Sequence, residues 1–171
     1  MGYCAVCDGF FFRNKTAVVV GGGNTGVTDA LYLSKICKKV ILVHRRDSLR
    51  AEKILVERLE NAENVELMFN SEVAEILGEK GADGVLLKSG ERLDCDGVFI
   101  AVGIVPRSDT VKNLAGLDDN GYIVADESGR TSLDGLFAAG DVRTKELRQI
   151  ITACSDGANC VDSVNKFLDT L

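Results

Sequence analysis

Residues 16–43 constrain the fold of this chain more than any other stretch. Residues 16–20, TAVVV, are a short β-branched run that reads as a buried strand. Gly21, Gly22, Gly23, Asn24, Thr25 and Gly26 follow directly and fit G-x-G-x-x-G. Residues 27–36 read as a helix, with Val27, Ala30, Leu31, Leu33 and Ile36 available for burial. Residues 40–43 read as a second strand. Strand, glycine turn, helix and strand make a dinucleotide-binding βαβ unit. In such a unit Gly21 permits the tight turn, Gly23 lets the backbone approach a pyrophosphate, and Gly26 lets helix and strand pack closely. The helix N-terminus offers the phosphates free N–H groups and a partial positive charge. A glycine turn without a ligand is the alternative, and the flanking strand and helix argue against it.

The end of the second strand selects the cofactor. An NAD site places Asp or Glu there, about 20 residues after the glycines, to hold the ribose 2′-OH. This chain has His44, Arg45 and Arg46 there, with Arg50 one turn later. Guanidinium groups grip a phosphate bidentately, so the site should prefer the 2′-phosphate of NADP(H). A solvated basic patch opening a surface helix is the other reading.

The net charge of −6, without a basic arm or stripe, argues against nucleic-acid binding. No apolar run approaches the roughly 20 residues of a membrane span, and the N-terminus lacks a signal pattern. A cytoplasmic protein is expected. Cys4 and Cys7 form C-x-x-C, while Cys37, Cys95, Cys154 and Cys160 are scattered. Beside a βαβ unit, C-x-x-C suggests redox work, and Asp8 could exchange a proton with a leaving thiolate. Two buried cysteines are the plain alternative. Structural zinc needs four ligands, and the single histidine with no second C-x-x-C does not supply them, so no metal is expected.

These residues carry a resemblance. CAVCDGFFFRNKTAVVVGGGNTG, followed by HRRDSLRAEKIL, resembles bacterial-type thioredoxin reductase over essentially the whole chain. The resemblance implies an NADPH-dependent FAD flavoprotein in which Cys7 faces the flavin, Cys4 attacks the substrate disulfide and Asp8 is the acid. It implies thioredoxin or a thioredoxin-like protein as partner. Rotation of the NADPH domain, about a hinge near Arg13 and Pro106, would alternate flavin access. The family often has an acidic pair where Thr28 and Asp29 stand.

Onward, residues 48–62 read as a helix with Leu49, Ile54, Leu55, Leu59 and Ala62 inward. Residues 65–69 are a third strand. Residues 73–77 and 85–87 flank a hairpin turn at 78–84, and residues 93–96 end this antiparallel insert. Residues 97–102 are fully apolar and suit the centre of a parallel sheet. Pro106, the only proline, marks a boundary. The expected class is α/β: a Rossmann-like NADP-binding domain over residues 1–105, then the C-terminal part of a FAD-binding domain over 106–171.

In that second part, residues 122–125 read as a strand and GLFAAGD, residues 135–141, as strand then turn. By resemblance Asp141 contacts the flavin's ribityl and pyrophosphate region, and Arg148, Gln149 and Ile150 lie beside the isoalloxazine. From Leu147, the positions Ile150, Ile151, Cys154, Ala158, Val161, Val164, Leu168 and Leu171 recur at helical spacing, giving one face to bury. The family's FAD-binding βαβ unit belongs upstream of Cys4, where only Met1, Gly2 and Tyr3 stand. The chain is therefore expected to be the family cut before its C-x-x-C. Its long helix would cover itself on the NADP-binding domain or on a second copy, so a homodimer is expected. The alternative function is an inactive NADP(H)-binding fragment without FAD.

Overall fold

A computed structural model describes residues 1–171, which divide into two compact units, Met1–Gly103 and Ile104–Leu171. The first unit is built on a parallel sheet of four strands. In chain order these are β1 (Thr16–Val20), β2 (Lys39–Val43), β3 (Val65–Met68) and β7 (Gly97–Ile100), in the spatial order β3-β2-β1-β7. Their register sets Val18 beside Ile41 and Val98, so the β-branched run lies in the middle of the sheet. Both faces of this sheet are covered, which explains the near-continuous apolar runs of β1 and β2. One face carries α1 (Ala5–Asp8), α2 (Asn24–Ser34) and α3 (Lys53–Glu60), packed through Ala5, Val27, Ala30, Leu33 and Leu59. On the other face Val18, Ile41, Val43 and Val98 meet Val85 and Leu87. Those two belong to a separate antiparallel sheet of β4 (Val73–Leu77), β5 (Gly84–Leu87) and β6 (Arg92–Asp94).

Three expectations for this unit change. First, β7 is an edge strand, not a central one. Its outer edge is closed by Gly2, whose N–H donates to Val98 O at 2.8 Å and whose carbonyl accepts from Ile100 N at 2.9 Å. Second, α2 begins at Asn24 and ends at Ser34, so the helix starts inside the glycine motif. Third, residues 48–52 are not helical. Arg50 N–H donates to Gly22 O at 2.7 Å, and Glu52 N–H donates to Asn24 Oδ1 at 2.9 Å. Those amides serve the glycine turn, and α3 starts only at Lys53, with Ile54 outward and Leu59 buried.

The second unit has a small core of Ala115, Ile123 and Ala138. Neither expected strand forms. Ile123 makes single bridges to Leu117 and Arg143, and Phe137 makes one to Arg130. Extended segments without a long neighbour form isolated bridges instead of a ladder. The long helix, α4 (Ile150–Leu168), is present and starts on a capping box between Gln149 and Thr152. Its buried face is not the expected one. Ile150, Ile151, Val161, Leu168 and Leu171 are all exposed, whereas Asp156 and Ser163 are buried and Phe167 packs edge-on against Phe137. The cause is polar. Arg143 is only 2% exposed, and a buried guanidinium demands a charged partner. Asp156 takes its Nε and Nη2, both at 2.8 Å, and also accepts from Lys145 Nζ at 2.7 Å and Gly140 N at 2.9 Å. That set of bonds fixes which way α4 faces.

Candidate functional site

The carboxyl ends of β1, β2 and β7 open into a cleft of about 430 Å³. Its floor is the turn from Val20 to Thr25, and its walls include Val43, His44, Arg45, Arg50, Ser71, Glu72, Val73, Ala101, Val102 and Gly103. Gly21 has φ +135°, and a Cβ there would run into the Ala101 carbonyl. No side chain fits at that position. A Cβ on Gly22 would meet the His44 ring at 2.5–2.7 Å, and one on Gly26 would strike the Gly21 carbonyl. Gly23 differs, because a Cβ there would meet nothing within 4 Å. It borders open space at the N-terminus of α2, the place where a pyrophosphate needs room.

Asn24 locks the far side of the turn. It accepts from Glu52 N–H and donates its Nδ2 to Glu52 Oε1 at 3.1 Å. Arg45 and Arg50 stand on the cleft wall. Arg46 is exposed, lies outside the lining, and gives its carbonyl to Asn70 N–H at 3.0 Å. Glu72 brings a carboxylate into the cleft, but Lys88 Nζ pairs with it at 2.7 Å.

His44 lines the cleft while only 5% exposed, and its buried Nε2 has no hydrogen-bond partner. Burial pushes its pKa down, and Arg50, Arg46 and Arg45 push it further; the Ser48 backbone opposes them. A neutral imidazole against Gly22 is therefore a spacer under the turn, while the two arginines supply the cleft's cations. A pyridine dinucleotide with a 2′-phosphate fits these residues: open space at Gly23, two guanidinium groups and no unpaired carboxylate on the wall.

Cys4 and Cys7 form a disulfide at the start of the same unit. Cys4 is the N-cap of α1, and Cys7 N–H points at its sulfur at 3.2 Å. Asp8 ends α1, with its N–H donating to Cys4 O at 3.1 Å. The other thiols of this unit are buried. Burial raises Cys37 and pushes Cys95 up to about 11, so neither is a ready nucleophile. In the second unit Cys154 is exposed, and Cys160 sits against Gly129 with burial raising its pKa.

The four residues expected near a flavin all sit in the second unit. Arg148 stacks on the Tyr122 ring at 4.0 Å and donates weakly to Asp141 O at 3.4 Å. The Gln149 side chain caps α4, and Ile150 is 86% exposed.

Sequence reasoning missed several of these residues. Ser71 to Val73 and Ala101 to Gly103 follow the ends of β3 and β7, and the rule that ligands bind beyond strand carboxyl ends would have found them. Arg143, Asp156 and Tyr122 carried no spacing signal.

Residues 2–157 match the family described as pyridine nucleotide-disulphide oxidoreductase. The chain is 48% identical to a thioredoxin reductase of Listeria monocytogenes and 44% identical to one of Bacillus subtilis, with 100% of this chain and 56% of each relative covered. It thus spans about 56% of the length of these curated relatives. Among solved structures, the thioredoxin reductase of Streptococcus pyogenes superposes with a TM-score of 0.91 at 46% identity, over 99% of this chain and 57% of that one. No helix of the chain is long and apolar enough to cross a membrane.

Proposed function

The chain belongs to the pyridine nucleotide-disulphide oxidoreductase family, and we propose that it binds NADP(H) and carries the redox disulfide of a thioredoxin reductase. One observation carries this reading. A glycine-floored cleft with Arg45 and Arg50 on its wall lies in the same compact unit as the Cys4–Cys7 disulfide. The relatives named thioredoxin reductase support the substrate class.

In this reading Arg45 and Arg50 hold the 2′-phosphate, with Arg46 as an outer charge, and Gly21, Gly22, Gly23, Asn24, Thr25 and Gly26 seat the pyrophosphate. His44 supports that turn as a neutral ring. NADPH and FAD, when bound, supply the reducing equivalents that open the disulfide. Asp141, Arg148, Gln149 and Ile150 would form one flank of the flavin site. Once the dithiol exists, the Cys4 thiolate attacks the partner's disulfide, and Asp8 protonates the first partner thiolate released. Cys7 then attacks the Cys4 sulfur of the mixed disulfide, freeing the second partner thiol and restoring Cys4–Cys7. The partner is a thioredoxin-like protein, the compartment cytoplasmic, and the exposed face of α4 would be covered in a homodimer.

The test is the visible spectrum of the purified chain, followed by thioredoxin reduction with NADPH. A flavin band near one per chain with NADPH-dependent turnover supports the whole reading. NADPH binding without flavin would reduce the chain to a dinucleotide-binding module, the second function the sequence admits.

A further inference from the structure

Glu72 is the one acidic residue among those that line the dinucleotide cleft. The backbone fixes its place beside the arginines. Asn70 N–H donates to Arg46 O at 3.0 Å, and Ser71 N–H donates to His44 O at 3.0 Å. The segment after β3 therefore runs along residues 44–46, and Glu72 shares the cleft wall with Arg45. A carboxylate there works against the ligand. A 2′-phosphate brings roughly two negative charges at neutral pH, and a like charge on the same wall repels it.

Lys88 offsets that charge. It follows directly on β5, in the antiparallel insert, and is tied to Glu72 twice. Its backbone N–H donates to Glu72 O at 2.8 Å, and its Nζ donates to Glu72 Oε2 at 2.7 Å. The Lys88 and Glu72 side chains are 64% and 47% exposed, and a pair so open to water contributes little to folding. Its consequence falls on whatever charge enters the cleft. The hydrogen bond from Lys88, and then its charge, hold the Glu72 carboxyl below the usual carboxylate range, with Arg45 adding to the effect, so the group is ionised at neutral pH.

We propose that Lys88 is a specificity-determining residue of the cleft: by neutralising Glu72 it removes the wall charge that would reject a 2′-phosphate, and it makes the antiparallel insert part of the cofactor site. The proposal rests on the NADP(H) reading of the cleft. Lys88 acts through Glu72. A nucleotide with a free ribose 2′-OH meets no such repulsion, since carboxylates are the groups that hold that hydroxyl in NAD sites.

The experiment is calorimetric titration of the purified chain with NADPH and with NADH at low ionic strength, where surface charges are least screened. Lys88→Met keeps much of the apolar stem and loses the charge. It should weaken NADPH by about fivefold and leave NADH within about twofold of the parent. Adding Glu72→Gln removes the exposed carboxylate as well, and the double variant should recover NADPH affinity to within about twofold of the parent. Raising the salt should shrink the loss in Lys88→Met. Three results overturn the proposal: Lys88→Met binding NADPH as the parent does, Lys88→Met weakening both nucleotides equally, or the double variant binding NADPH no better than Lys88→Met. Failure of the underlying reading looks different, because the parent itself would then bind NADPH and NADH equally.

Discussion

The two units solve the problem of burial in opposite ways. In Met1–Gly103 a parallel sheet is covered on both faces, its edge is closed by Gly2, and the apolar pattern of each strand is buried. In Ile104–Leu171 the segments meet through single bridges, and the buried centre of the helix face is a salt bridge. There the apolar stripe of α4 points outward. The contrast teaches that an apolar stripe identifies a helix but not which face its own unit covers. A buried charge pair, being costly to break, overrides the stripe.

The largest effect tests that contrast. Asp156→Ala leaves Arg143 buried without its main partner and should cost about 3–5 kcal/mol. Hydrogen exchange should show α4 amides losing protection while β1 amides keep theirs; equal loss in both units breaks the comparison. The pH dependence has a definite sign. Hydrogen bonds from Arg143 hold Asp156 well below the usual carboxylate range, so its contribution is complete above the unfolded value near 3.8. It is lost only as pH falls through the depressed folded value. Protection of α4 that fades already at pH 5 would contradict the assignment.

Next comes the cleft. Arg50→Ala or Arg45→Ala should weaken NADPH by about 1.5–3 kcal/mol, the range for hydrogen bonds to a charged group, and barely alter NADH. Arg46→Ala, off the wall, should do less. Calorimetric titration of both nucleotides checks this, and equal losses for both would sink the 2′-phosphate role. Gly22→Ala should then cost about 1–3 kcal/mol by overpacking against His44, and adding His44→Ala should recover part of the lost melting temperature. Gly23→Ala, facing open space, should melt within about 0.5 kcal/mol of the parent yet bind dinucleotide poorly.

The smallest effect concerns His44 itself. Burial lowers its pKa, so its stabilising contribution is complete above the unfolded value of 6.5 and is lost as pH falls through the lowered value. As the only histidine, its ring-proton signals can be followed without overlap from another imidazole. A midpoint at or above 6.5 would contradict the buried, neutral ring.

How much the sequence disclosed follows the same division. The βαβ unit, the hairpin insert and the start of α4 near Gln149 were legible because local pattern and tertiary burial agree there. Residues 48–52 were misread as helix because Gly22 and Asn24, far back in the chain, take their amides. Residues 122–125 and 135–141 have strand composition but lack a ladder. The glycines and Arg45 and Arg50 were readable from spacing. His44 was read only as part of the stretch after the second strand, and its burial beneath Gly22 was not legible from spacing. The turning of α4 was hidden because Arg143 and Asp156 carry no periodic signal.

The most direct measurement is calorimetric titration of the purified chain with NADPH and, separately, NADH. NADPH should bind at about one per chain, and NADH should bind weaker by about tenfold or more through loss of the phosphate contacts. Equal affinity for the two, or no binding of either, would contradict the NADP(H) assignment.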